Sequence, residues 1–477
     1  MVAPGPRDVR RALRLSAWLA VVVAASFSRL AHAQWTPAPD ASQPVEAPAA
    51  APAPSPPPPE PEPQQIVGFR VRGDSKLKPR TLGYLAHVKI GDRFSPDEVP
   101  RIVRNLMSSE LFEKVEVSLE QAPDGLVLVA TLDDKHSWFV APTLSLVAGK
   151  RAVGLGFIEN NLAGRNQKLL LYGQLGDRES LFFGTYLDPS VGGSPLTYRF
   201  DLYAYRRVSS EYANPVDDPT DDTILRSSTT TYLGGGLLVG WALRWWLVVD
   251  LRLRGAYVTF RDAQAPDGTP LPAPQHDGYD ISMQTRITLD ARHYHFGVRW
   301  GPYLQIQTDA SVPGLDDYGY AWALLRAYYS WRILNEHQFE VRTLQAIGRH
   351  MPFHNDWTLG GLIDLRGYAT DRFRGDVRSV YRVEYSLPIA KWKYFAFRGI
   401  GFWDTGFIGR YFPRSEADRS YLAPITGRQA RWWRNDVGVG LRIYVKRVVL
   451  PLLGLDFSYG IESEAPQLTF QIGLTDF

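Results

Sequence analysis

From residue 138 to the C-terminus, apolar and polar residues alternate with a period of two. Leu196, Tyr198, Phe200 and Leu202 share one parity, and Thr197, Arg199, Asp201 and Tyr203 take the other. Leu247, Val249, Leu251 and Leu253 oppose Asp250, Arg252 and Arg254 in the same way. A strand points successive side chains to opposite faces, whereas a helix would mix the two sets. Each run therefore predicts a strand with one greasy and one wet face. Sixteen such segments follow one another, from 138–148 to 466–477, among them 229–243, 293–311, 336–349, 377–389, 392–408 and 434–445. A soluble sandwich also alternates. Here, however, the polar faces carry long charged side chains in many consecutive segments, and aromatic residues crowd segment ends, as at Trp245, Trp246 and 392–395. Such ends resemble the interfacial girdles of membrane barrels.

The connections give an independent check. The long ones, at 209–228, 261–275, 350–376 and 409–433, each follow an odd-numbered segment, and those after segments six to fourteen of even number are short. Bacterial barrels have long outer loops and short periplasmic turns. Odd strands are thus expected to run outward, with both barrel ends at the inner rim. The fold class predicted is mainly β: a 16-stranded transmembrane β-barrel over 138–477, preceded by one small α/β domain over 65–135.

That small domain has a different grammar. Ile66, Phe69 and Val71 open a strand, and residues 79–86 suit a short helix. Ser95-Pro96-Asp97-Glu98 reads as a helix start, followed by Val99, Ile102, Val103, Leu106 and Met107 on one face. Val115, Val117 and Leu119 alternate, Asp124-Gly125 turns, and 126–132 returns. Upstream, Arg7, Arg10, Arg11 and Arg14 precede an apolar run over 15–27 and the small residues of Ala31-His32-Ala33. This is expected to be a secretory signal peptide over 1–33, since the run is short of the roughly 20 residues a membrane helix needs. Residues 34–64, with Pro56-Pro57-Pro58-Pro59, are expected to form a disordered, extended spacer.

Composition narrows the function. A net charge of +3 argues against a nucleic-acid partner, and zero Cys excludes thiolate zinc sites and cysteine nucleophiles. There is no G-x-S-x-G, H-E-x-x-H or P-loop motif, and His293-Tyr294-His295 lacks further ligands. No enzymatic activity, metal or cofactor is expected.

The chemistry-bearing stretch is 360–368, ending in Leu365-Arg366-Gly367-Tyr368, inside the long connection after segment eleven. Parity places Arg382, Glu384 and Ser386 opposite Tyr381, Val383, Tyr385 and Leu387, and Asp404 opposite Trp403, Thr405 and Phe407. Glu384 and Asp404 are therefore expected on the wet inner wall. The stretch resembles the (V/L/I)-R-G-(F/Y) motif of the BamA/TamA-type outer-membrane assembly superfamily, and Phe402-Trp403-Asp404-Thr405-Gly406 resembles its F-x-D-x-G. The resemblance implies a loop folded back into the barrel, with Arg366 meeting Glu384 and Asp404. Gly73, Gly91-Asp92-Arg93-Phe94 and Leu111-Phe112-x-x-Val115 resemble a single POTRA domain. Residues 159–166 resemble the superfamily's N-L-x-G turn, and 470–477, ending in Phe477, its insertion signal. Pro142 is expected to interrupt strand one, and Gly473 to weaken strand sixteen, giving a seam that the family implies opens sideways.

The resemblance thus implies insertion, assembly or translocation of outer-membrane proteins in the cell outer membrane. The implied partners are outer-membrane lipid, unfolded outer-membrane protein clients or a secreted substrate, and periplasmic partners docking on the POTRA-like domain. A secretion channel or pore for one cognate substrate is the competing reading.

Overall fold

The structure is a computed structural model that describes residues 64–109, 111–147, 149–213, 220–295, 298–334, 336–393, 395–412, 433–445 and 448–472. The expected signal peptide, the spacer up to residue 63, and Gly473 and Phe477 lie outside the described residues.

The first unit contains β1 (Gln64–Arg72), α1 (Pro79–Ala86), β2 (Arg93–Phe94), α2 (Val99–Ser108), β3 (Phe112–Ala122) and β4 (Gly125–Asp134). The sheet order is β2-β1-β4-β3, with β1 parallel to β4 and β3 antiparallel to it. Its core is apolar: Ile66, Leu82, Ile102, Leu106, Phe112 and Leu128 are fully buried. Two details differ from the sequence expectation. Pro96–Glu98 forms a 3-10 turn, and α2 starts only at Val99, with Pro100 in its first turn. Proline is tolerated there because the missing N–H has no intrahelical partner anyway. Met107 is 41% exposed, since it lies about 100° around the helix from Leu106 and off the buried stripe.

Residues beyond 138 form a closed, antiparallel 16-strand barrel. Its burial is inverted. Phe200 and Leu202 are half exposed while Asp201 between them is fully buried, and Leu251 is 49% exposed beside the buried Asp250. Exposed apolar and enclosed charged side chains describe a wall whose outer solvent is lipid. Strands five (Leu196–Tyr212), six (Ile224–Arg244) and seven (Leu247–Gln264) are the longest, at 17, 21 and 18 residues. About 9–11 residues suffice to cross a bilayer, so this sector stands well above the hydrocarbon at one rim.

At the seam, Leu144, Ser145 and Leu146 pair with Ile472, Gln471 and Phe470 among the described residues. Strand one (Trp138–Val147) is continuous, because its ladder to strand two (Lys150–Leu162) passes through Pro142, which faces Leu155. Pro142 thus does not interrupt the strand: a proline removes one donor, and the pairing to strand two continues on either side of it. Strand nine is the other departure. It runs Val298–Ser311, and His293–His295 pair back onto its start instead of extending it.

The first unit docks against the turns that follow even-numbered strands. Lys78 N donates to Gly164 O at 2.9 Å, and Tyr84 Oη to Pro189 O at 3.2 Å. Burial, with Asp188 adding to it, pushes the Tyr84 hydroxyl up, so it remains a donor. A Cβ on Gly164 would lie 1.7 Å from Lys76 O, so the turn that resembles N-L-x-G admits only glycine at this contact. The rim beside the first unit is the one with short turns.

Candidate loop-anchoring site in the barrel

The connection between strands eleven (His337–Arg349) and twelve (Val377–Lys391) folds into the barrel. Its two limbs are held together by the short ladder of Trp357–Leu359 with Phe373–Gly375. Leu359, Leu365, Tyr368, Phe373, Val380 and Ile408 form an apolar cluster beneath it. Burying Leu365 fixes the backbone on either side and leaves Arg366 pointing at the wall.

Arg366 is 2% exposed. Its Nε donates to Asp404 Oδ2 at 2.7 Å and its Nη2 to Asp404 Oδ1 at 3.0 Å, while Nη1 donates to Glu384 Oε2 at 3.1 Å. The forked geometry of a guanidinium matches one carboxylate in two parallel bonds and leaves the third nitrogen for a second. Phe402 lies below, with its ring centroid 3.3 Å from Arg366 Cζ. Arg382 donates to Asp404 Oδ1 at 3.2 Å and to Ile363 O at 2.8 Å, tying the wall to the loop a second time. The structure thus brings Leu365, Arg366, Gly367, Tyr368, Glu384 and Asp404 into one site, and leaves Pro142 elsewhere, on strand one.

The motif residues have separable physical roles. Phe402 supplies the ring face under the cation, and Asp404 the fork. Gly406 leaves room for Leu359, whose Cδ1 would lie 3.1 Å from any added Cβ. In the loop, Gly367 N donates to Asp436 Oδ2 at 3.0 Å, and a Cβ there would lie 2.6 Å from Asp436 Cβ and 2.7 Å from Gly460 N. No side chain fits. Tyr368 Oη donates to Asn435 O at 3.2 Å and contacts the Glu462 carboxylate. Ser458 Oγ donates to Arg366 O at 2.7 Å.

Asp436, Ser458, Glu462 and the stacking role of Phe402 escaped the sequence reading. The parity test used on strands twelve and thirteen (Phe395–Gly409) finds the first two when applied to strands fourteen (Trp433–Val445) and fifteen (Val448–Gly460). Glu462 sits in a turn, where parity says nothing. Removing Arg366 breaks the fork and leaves the fully buried Asp404 with Arg382 as its remaining ion pair, a loss toward the lower end of about 3–5 kcal/mol from the loop's anchoring. Nothing in this site resembles a catalytic constellation. Its charge-assisted bonds hold a long loop inside the barrel.

Fold and site together define a membrane-spanning barrel with an internal loop fastened to its wall. The Omp85 superfamily domain matches residues 161–476, and the chain belongs to that superfamily. An Omp85-type barrel implies an outer-membrane location and a role in protein insertion or transport. Among the solved structures that share the fold are the following three. BamA from Haemophilus ducreyi lacking POTRA domains 1–3 is 14% identical, with a TM-score of 0.56 over 85% of this chain and 84% of that one. CdiB from Escherichia coli is 11% identical, with a TM-score of 0.59 over 85% and 76%. CdiB from Acinetobacter baumannii is 15% identical, with a TM-score of 0.51 over 86% and 74%. No curated protein matches the chain.

Proposed function

We propose that this chain is an outer-membrane protein assembly or translocation factor whose lumen is plugged by the 350–376 loop. The observation that carries the reading is the fork of Arg366 on Asp404 and Glu384. A guanidinium shared by two carboxylates fastens a loop without a covalent bond, so the plug withdraws and returns without ATP or chemistry. On this reading the first unit is a POTRA-like domain in the periplasm. Its β3 pairs only with β4 among the described residues, which leaves one side of that strand open. An unfolded client adds there, or at the seam between strands one and sixteen, through backbone hydrogen bonds that any sequence supplies. Membrane lipid is the medium into which the client passes, and a strand pays least to enter it when its backbone is already paired.

A second reading is a secretion channel for one cognate substrate. The position of the loop favours it: fastened to wall residues that face the lumen, its withdrawal opens an axial path. Depleting the protein and comparing the outer-membrane and secreted proteomes distinguishes the two. Loss of several barrel proteins, restored by the wild-type chain and not by Arg366→Ala, is the outcome expected of an assembly factor. Loss of one secreted protein with barrel proteins unchanged selects the channel. No change in either proteome contradicts both.

A further inference from the structure

The first limb of the same loop meets a different part of the wall. Asp280, on strand eight (Gly278–Asp290), is fully buried. From the wall its carboxylate accepts Tyr232 Oη at 2.8 Å, Tyr320 Oη at 2.7 Å and Arg254 Nη2 at 3.0 Å. From the loop it accepts His354 Nε2 at 3.1 Å and Asn355 Nδ2 at 3.0 Å. A carboxylate oxygen only accepts here, so the contact sets His354 with its hydrogen on Nε2. The backbone joins in, since Phe353 N donates to Gln275 Oε1 at 2.7 Å. Around these bonds, Met351 and Phe353 pack with Phe260 and Tyr318 in a buried cluster. The His354 ring meets Tyr318 edge-on, 4.7 Å between centroids.

The hydrogen-bonding partners of this attachment are all different from those of the Arg366 site; the two apolar clusters have Trp357 in common. One set of anchors lies on strands six to eight and the segment before strand ten (Ala321–Ile333), the other on strands twelve to fifteen and the turn after fifteen. Strands nine to eleven separate them along one side of the barrel. We infer that Asp280 is a second, independent anchor that positions residues 353–356, so that release of Arg366 swings the tip of the loop while its first limb stays on the wall. The loop is then a hinged flap and not a strap expelled whole. The inference rests on the plug reading for its functional meaning and on the Asp280 contacts for its geometry.

The test is hydrogen–deuterium exchange by mass spectrometry on the full chain in lipid nanodiscs. Local opening is read directly from the exchange of each segment. Three variants are compared with the wild type: Arg366→Ala, the loop-side double variant His354→Phe with Asn355→Ala, and Asp280→Asn. The double variant leaves the wall, including Arg254 and Asp280, intact. Heat-dependent gel mobility confirms that each barrel is folded. Arg366→Ala is expected to speed exchange in 361–368 by about tenfold or more and to leave 353–356 within about twofold of wild type. The double variant and Asp280→Asn are expected to do the reverse. Acceleration of both segments together in any variant, or of neither in the double variant and Asp280→Asn, overturns the inference. Conductance of the same samples separates the two ideas: a freed tip with no change in conductance sinks the plug reading and leaves the two anchors standing.

Discussion

The first unit and the barrel use the same side chains in opposite places. Leu106 of α2 is fully buried, while Leu251 and Leu253 of strand seven are about half exposed; Glu98 and Arg101 lie open beside α2, while Asp250 and Asp404 are enclosed. The sequence chemistry is unchanged between the two regions, so the difference reports the solvent. In the first unit, water is outside and apolar burial supplies stability. In the barrel, lipid is outside, most apolar wall residues face it, and every enclosed charge needs a partner. That need explains why the lumen is laced with arginine–carboxylate pairs such as Arg442 with Asp456 and Arg286 with Asp250. It also explains why one such pair fastens a loop.

Five substitutions, at four positions, sharpen or break this contrast. The largest effect is expected in the lumen. Arg366→Ala should weaken loop anchoring by about 3–5 kcal/mol, read as protease cleavage within 350–376 while the barrel itself stays resistant. Arg366→Lys should recover only part of this, since a single ammonium cannot reproduce the fork. In the first unit the expected loss comes from a cavity. Leu106→Ala should destabilise that unit by about 2–5 kcal/mol, measured by its own unfolding transition, and leave the barrel's heat-dependent gel mobility unaltered. On the lipid face, Leu253→Arg should cost about 2–4 kcal/mol at mid-bilayer depth and less toward a rim, measured by urea titration of folding into vesicles. Were the barrel a water-soluble sandwich, the same change would be close to neutral. The smallest effect is expected where the two regions meet. Tyr84→Phe removes one hydrogen bond to Pro189 O and should cost about 0.5–1.5 kcal/mol, seen as faster hydrogen exchange in 189–195 with both units still folded.

Much of the barrel is legible in the sequence because a period of two assigns each residue to a face. Parity alone places Arg382, Glu384 and Asp404 on the inner wall, and the structure has all three within reach of the 350–376 loop. Parity gives the face and not the height. Whether two lumen residues lie at the same level depends on register across strands, which a single sequence specifies weakly. Asp404 stands opposite Asp436, and Asp436 opposite Gly460; this puts the Gly367 contact beside the Arg366 fork, and it becomes visible only once the ladders are drawn. The Asp280 cluster was hidden for the same reason, since its parts come from strands six, seven and eight, the start of strand ten and a loop. Local signals misled where two effects compete. Pro142 promised a break that its flanking ladder prevents, and the Ser95-Pro96 start was delayed by a second proline at position 100.

Single-channel recording of the full chain in planar lipid bilayers tests the central claim most directly. The wild-type protein is expected to be closed for most of the record, and the Arg366→Ala variant to show larger and more frequent open events at the same protein density. Indistinguishable traces from two folded samples, whether both open or both closed, would contradict a lumen fastened shut by Arg366.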